Sequence, residues 1–208
     1  MSLRVIAGRA RGRRLKAVPG RGTRPIMDRV KEALFSIIGA DIRSAAFLDL
    51  FAGTGSVGIE ALSRGASHAL FVETDRAALG TIRENLRRAQ LTDKARVVRR
   101  SAFAILDDAP DKHYDFIFVA PPQYRGMWLK TLRSLEENPA WQDPACLVIV
   151  QIDPKEFEPE LDFVRLQLVD QRAYGRTMLL FWRFASQSTQ PRTVSLPARP
   201  VHDRCFSR

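Results

Sequence analysis

The run Phe47-Leu-Asp-Leu-Phe-Ala-Gly-Thr-Gly-Ser-Val-Gly-Ile-Glu60 decides the fold. A short apolar stretch, Phe47 to Phe51, meets glycines at 53, 55 and 58, and a helix-compatible segment begins at Val57. Strand, glycine loop and helix start follow in that order. Glycine here serves backbone conformations closed to residues with a Cβ, close approach of the loop to a ligand, and tight packing of the helix on the strand. Outward from this run, strands and helices keep alternating. A strand over 69–72 ends at Glu73, a helix over 76–90 carries Leu79, Ile82 and Leu86 on one face, and a third strand covers 96–99. A fourth, 114–119, is stopped by Pro121 and Pro122, which remove two backbone donors. Met127 to Leu135 reads as helix, and Ala145 to Val150 is a near-continuous apolar run that suits a central strand covered on both faces. The pattern predicts an α/β, doubly wound, mostly parallel sheet. Phe163 to Val169 and Arg176 to Phe184, joined at Ala173-Tyr-Gly175, predict a hairpin that puts an antiparallel strand at the C-terminal sheet edge.

The 208 residues hold one full domain of this kind and a small appendage. The domain is expected over 46–185. Before it, residues 1–45 form a basic module: Arg4 to Val18 reads as two short strands about a Gly/Arg-rich turn, and Met27 to Ile38 as an amphipathic helix with Val30, Leu34, Ile37 and Ile38 on one face. A lone two-stranded ribbon must pack on something, and that helix is the candidate. After Ser186 the chain turns to Ser, Thr, Gln, Pro and Arg, and 186–208 is expected to be a disordered tail. The net charge of +10 is concentrated at the ends: residues 1–45 hold eleven Lys and Arg against Asp28, Glu32 and Asp41. A near-neutral domain with a basic arm fits a polyanionic partner, since Lys and Arg release counterions from phosphates; a merely basic, soluble surface is the alternative. Two cysteines, Cys146 and Cys205, and three scattered histidines build neither a disulfide framework nor a metal motif. No run of about 18 apolar residues and no signal-peptide core is present, so a cytoplasmic protein is expected.

The G-x-G-x-x-G spacing most often marks a dinucleotide site. Asp49, at the strand end just before the glycines, would repel a pyrophosphate and favour a ligand with positive charge. S-adenosylmethionine carries an ammonium and a sulfonium, and is the expected cofactor, with a nicotinamide cofactor as the alternative. Phe51, Gly53 and Gly55 would border it. Glu73, at the end of the second strand, is placed to accept hydrogen bonds from both ribose hydroxyls, with Asp75 as a second candidate, although a surface acid at a strand end is also consistent. Ser101 and Ala102, after the third strand, would edge the adenine; a helix-start serine explains them as well.

Phe118-Val-Ala-Pro-Pro-Gln-Tyr124 should lie beside the glycine loop, because ligands sit outside the carboxyl ends of such strands. A strand ending in Asp or Asn, then Pro-Pro and an aromatic, is the pattern of S-adenosylmethionine-dependent methyltransferases acting on exocyclic amines of bases, which this stretch resembles. Over residues 3 to 184 the chain is similar to the RsmD-type 16S ribosomal RNA guanine-N2 methyltransferases. The similarity lies in Arg4-Val-Ile-Ala-Gly with Arg11-Gly-Arg, Arg24-Pro with Asp28-Arg-Val-Lys-Glu-Ala-Leu-Phe35, Asp49-Leu-Phe-Ala-Gly-Thr-Gly55, Gly58-Ile-Glu-Ala-Leu-Ser-Arg64 and Val72-Glu-Thr-Asp-Arg76. The resemblance implies a Rossmann-like class I methyltransferase sheet, S-adenosylmethionine as cofactor, and ribosomal RNA or a small-subunit assembly intermediate as partner of a monomeric enzyme. Pro121, Pro122, Gln123 and Tyr124 would grip the base, and Arg9, Arg11, Arg13, Arg14, Arg24 and Arg29 would hold phosphates. Ala120 stands where that family has Asp or Asn, and Gln123 where it has the aromatic. Losing one preorganised polar partner typically costs about 10²- to 10³-fold in rate. Three outcomes follow: an active enzyme using the Pro121 carbonyl, Tyr124 and a substitute such as Gln123; a slow enzyme; or an assembly factor that binds cofactor and RNA without transfer. An N6-adenine methyltransferase of DNA or RNA is the rival activity.

Overall fold

β1 (Ala46–Asp49) is a four-residue strand with Phe47 and Leu48 fully buried on opposite faces, and the sheet is laid out from it. The computed structural model describes residues 3–20, 26–159 and 161–185; the tail expected over 186–208 lies outside them. Among the described residues seven strands form one sheet in the order β3-β2-β1-β4-β5-β7-β6. β2 (His68–Glu73), β3 (Ala95–Arg99), β4 (Tyr114–Val119) and β5 (Gln142–Ile152) join β1 in parallel. β6 (Leu166–Tyr174) and β7 (Thr177–Phe184) form the predicted hairpin, and β7 pairs antiparallel with β5. The antiparallel strand therefore lies inside the edge, with β6 outermost.

Alternation along each strand sends side chains into two layers. Phe47, Phe71, Phe116, Ile149 and Phe181 pack in one cluster with residues of α1 (Asp28–Ile38), α2 (Ser56–Ser63) and α3 (Arg76–Ala89). Leu48, Leu70, Ile117 and Val148 pack in the other with α4 (Ala102–Leu106) and α5 (Met127–Glu137). At Gly58 a Cβ would lie 2.4 Å from the Phe71 ring, so glycine is what lets α2 sit directly on β2.

The N-terminal arm pairs with itself only briefly. Its strand pairing is one antiparallel bridge, Arg4 to Arg14, supported by backbone hydrogen bonds from Val5 to Arg13, Gly12 to Val5 and Leu15 to Leu3, while donors nearer the turn are taken by α2. Ile6 and Ala7 donate to the Glu60 carboxylate at 2.8 and 2.9 Å, and Arg9 and Ala10 donate to the Ser63 carbonyl and hydroxyl. The approach is so close at Gly8, φ +80°, that a Cβ would fall 1.9 Å from the Ser63 carbonyl oxygen. Val5, Ala10 and Leu15 enter the same buried cluster as Phe47 and Val30. Glu60 is itself fully buried, and also faces the buried Lys31 Nζ at 3.4 Å and Arg64 Nε at 2.8 Å. Burial lowers the Lys31 pKa, and the Glu60 charge opposes that shift. Lys31 completes the knot by donating to the Arg4 carbonyl at 2.7 Å.

Candidate active site

A cleft of about 1000 Å³ opens at the carboxyl ends of β1, β2, β4 and β5. Its walls bring together residues far apart in sequence: Asp49, Phe51 and Gly53 from the first loop, Glu73 and Asp75 from the second, Ser101 and Ala102 from the third, and Ala120, Pro121, Pro122 and Gln123 from the fourth. Val18, Pro19, Gly20 and Ile26 of the arm close one side. Gly55 is not in the wall: with φ +75° it turns the chain into α2 and packs against Ile82. A shallower hollow of about 350 Å³ lies at the other end of the sheet, lined by Asp41, Asp115 and Arg183 among others, away from every predicted site residue.

Asp49 is buried, and its Oδ1 has no hydrogen-bond partner. Desolvation pushes its pKa up to about 7, the Gly58 amide opposing and the Glu73 charge adding to the rise. A carboxylate held out of water beside a second acid suits a cationic ligand. Glu73 is pinned: Oε2 accepts the Gly53 amide at 2.9 Å, while Oε1 accepts the amides of Thr74 at 2.7 Å and Asp75 at 3.0 Å. Only Oε2 keeps a lone pair, so in this arrangement Glu73 has room for one hydroxyl rather than the expected two. Asp75 and Ser101 cap α3 and α4, accepting from Ala78 and Ala104 at 2.8 and 3.0 Å. The wall next to them is aromatic: Phe51 and Phe103 meet edge to face at 6.4 Å, with Lys130 Nζ 4.4 Å from the centre of the Phe103 ring.

In the proline loop, Pro121 is buried while Pro122 and Gln123 are exposed at the rim. Tyr124 is brought elsewhere. It does not line the cleft; its backbone, at φ +60°, is held by the Glu156 carboxylate at 2.7 Å, and hydrogen bonding to Asp153 raises its phenol pKa. Among the wall residues that escaped the sequence reading are Arg100, Arg125, Met127 and Gln151. The first three sit at element ends with no motif to mark them. Gln151 had a signal, a polar residue within the apolar β5 run.

The predicted phosphate contacts divide. Arg9 donates to the Gln90 carbonyl at 2.6 Å, and Arg13 to the Arg88 carbonyl at 2.9 Å and the Gln90 side chain at 3.0 Å. Both guanidiniums thus complement the C-terminal end of α3, where the helix dipole favours cations. Arg11, Arg14 and Arg29 are exposed and make no side-chain hydrogen bond or ion pair among the described residues; Arg24 lies outside those residues.

Five parallel strands, an antiparallel β7 inserted between β5 and β6, and acids at the ends of β1 and β2 define a Rossmann-like methyltransferase. An RNA methyltransferase from Salinibacter ruber, solved in complex with S-adenosyl-L-homocysteine, shares the fold at 15% identity and a TM-score of 0.59, over 80% of this chain and 97% of that one. A family model described as Conserved hypothetical protein 95 matches residues 3–183, and the chain belongs to that family, the RsmD family. It is 39% identical over 149 residues to ribosomal RNA small subunit methyltransferase D of Escherichia coli K12, covering 72% of this chain and 74% of that one. It is 38% identical over 183 residues to YlbH of Bacillus subtilis, covering 87% and 98%. The solved structure of yhhF from Escherichia coli is 33% identical, with a TM-score of 0.79 over 90% of this chain and 100% of that one. Among the described residues, no helix is long and apolar enough to cross a membrane.

Proposed function

We propose that this protein, an S-adenosylmethionine-dependent ribosomal RNA methyltransferase, acts as a monomer on the exocyclic N2 amine of a guanine in 16S ribosomal RNA during small-subunit assembly. The observation that carries the reading is the juxtaposition in one cleft of Asp49, with its unpartnered carboxylate oxygen, and Pro121-Pro122 at the end of β4, in a chain of this family.

The residues fit the cofactor. Asp49 would take the methionine ammonium, Glu73 Oε2 a ribose hydroxyl, and Ser101, Ala102 and the Phe51–Phe103 wall the adenine. When bound, S-adenosylmethionine supplies a sulfonium methyl group, whose carbon–sulfur bond breaks with its electron pair left on sulfur. The protein's contribution is alignment and exclusion of water, which needs no activated side-chain nucleophile. The Pro121 carbonyl would accept a hydrogen bond from the target amine, and Pro122 and Gln123 would border the base. Arg11, Arg14 and Arg29 hold phosphates.

The test is incubation with radiolabelled S-adenosylmethionine and, separately, unmethylated small subunits, naked ribosomal RNA and duplex DNA, followed by digestion. Label in N2-methylguanosine is the expected result. Label in N6-methyladenine moves the assignment to the rival activity. Cofactor binding without label favours the assembly-factor reading that Ala120 supports.

A further inference from the structure

We infer that Gln151 supplies the hydrogen-bond acceptor for the target amine that Ala120 lacks. The inference rests on the methyltransferase reading above. Gln151 lines the cleft with Ala120, Pro121 and Pro122, and its Oε1 is buried with no hydrogen-bond partner. A buried acceptor left unpaired is destabilising and marks a place where a donor is missing.

The register puts this acceptor beside Ala120. β4 and β5 run parallel with Val119 opposite Val150, so the next two residues, Ala120 and Gln151, are neighbours across strands about 4.8 Å apart. They also share a face of the sheet. Phe118 and Ile149, two positions earlier on the two strands, pack in the same cluster, against which Ala120 also rests. Asp49, opposite Phe118 in β1, belongs to that face as well. A polar head lost from the end of β4 is thus replaced from the end of β5, on the side where the cofactor acid sits. Glutamine, one methylene longer than asparagine, extends from the neighbouring strand toward the same space. Gln123, the substitute that sequence suggests, is exposed at the rim.

The amide offers Oε1 to an amine proton and the Nε2 protons to an unprotonated ring nitrogen beside the amine-bearing carbon, N3 in guanine, a two-point match comparable to the one glutamine makes with N6 and N7 of adenine. It holds the amine and does not deprotonate it; the proton released on transfer goes to solvent. The ligand class is therefore a purine with an exocyclic amine.

Two readouts test this. Guanosine and inosine monophosphates, which differ by the 2-amine, are titrated into protein saturated with S-adenosylhomocysteine. The wild type should prefer guanosine by about tenfold, and Gln151→Leu should abolish the preference. On unmethylated small subunits, Gln151→Leu should lower kcat about 10²- to 10³-fold with S-adenosylmethionine affinity unchanged. Gln151→Glu, which keeps an acceptor, and the double variant Ala120→Asn/Gln151→Leu, which returns one to β4, should each recover at least tenfold. The proposal is overturned if Gln151→Leu leaves both kcat and the guanosine preference intact, or if its loss follows weakened cofactor binding and Ala120→Asn restores nothing. A wild type that labels no RNA defeats the methyltransferase reading; the guanosine-to-inosine preference then judges Gln151 on its own.

Discussion

Cofactor affinity should titrate with Asp49. Ionising this buried carboxyl in the ligand-free cleft is costly: its pKa rises from 3.8 to about 7, a difference of about 4 kcal/mol. Only the ionised form pairs with the methionine ammonium, so affinity follows the ionised fraction until the site is mostly charged. Between pH 5.5 and 7.5 that fraction, and with it the association constant, should rise roughly 25-fold, close to tenfold per unit at the acid end. Calorimetry in buffers of differing ionisation enthalpy reads both the slope and the release of about half a proton per cofactor bound near pH 7. Asp49→Asn preserves shape, removes the titration, and should bind weakly with no acid limb. The same shift has a stability consequence of opposite sign. Between about pH 4 and 7 the native state holds a proton that the unfolded chain has lost, so unfolding free energy falls as pH rises through that window. Ligand-free Asp49→Asn should therefore melt higher than the wild type at neutral pH. A wild-type affinity flat from pH 5.5 to 7.5, or an equal slope in Asp49→Asn, would refute the assignment.

Two other perturbations probe the arm. Glu60→Ala strips a buried carboxylate from Lys31, Arg64 and two backbone donors, and should destabilise the protein by about 3–5 kcal/mol, read as a lowered denaturant midpoint. Arg11→Gln with Arg14→Gln should weaken RNA binding and reduce the log–log salt slope by roughly 1 to 2 at unchanged melting temperature, whereas Arg9→Gln with Arg13→Gln should lower the melting temperature by loosening the end of α3 and change the slope less. Equal slope changes from both pairs would show that the hydrogen bonds to α3 do not withdraw Arg9 and Arg13 from RNA.

The sheet was legible because its signals are local. Apolar runs closed by Gly53, by Glu73 and by Pro121 mark strand ends, and a parallel sheet gathers those ends at one edge, so Asp49, Glu73 and Pro121 could be brought to one place before any coordinate was known. What stayed hidden depends on contacts between distant segments. Nothing near Arg13 in the chain tells that its guanidinium reaches Arg88 and Gln90, 75 and 77 residues on. The seat of the arm is hidden for the same reason, since donors of its turn reach Glu60 and Ser63 of α2, more than 50 residues on. Gln151 is the instructive case. Ala120 reads as a gap in the sequence, but the acceptor proposed for it lies on another strand, and only the register brings the two side by side.

The arm's seat on Glu60 also bears on how the protein meets RNA. A basic segment that orders only on binding surrenders affinity to the entropy of ordering. Here much of that ordering is complete when the protein folds: Val5, Ala10 and Leu15 are buried in the core, and Ile6, Ala7, Arg9 and Ala10 are hydrogen-bonded to α2. Association should then show a small heat-capacity change and a template-like encounter, with the phosphate contacts held in fixed register to the methyl-transfer cleft. On the proposed phosphate role the arm would act less as an appended tether than as a built-in ruler, and moved to another scaffold without α2 it would keep its charge and lose its measure.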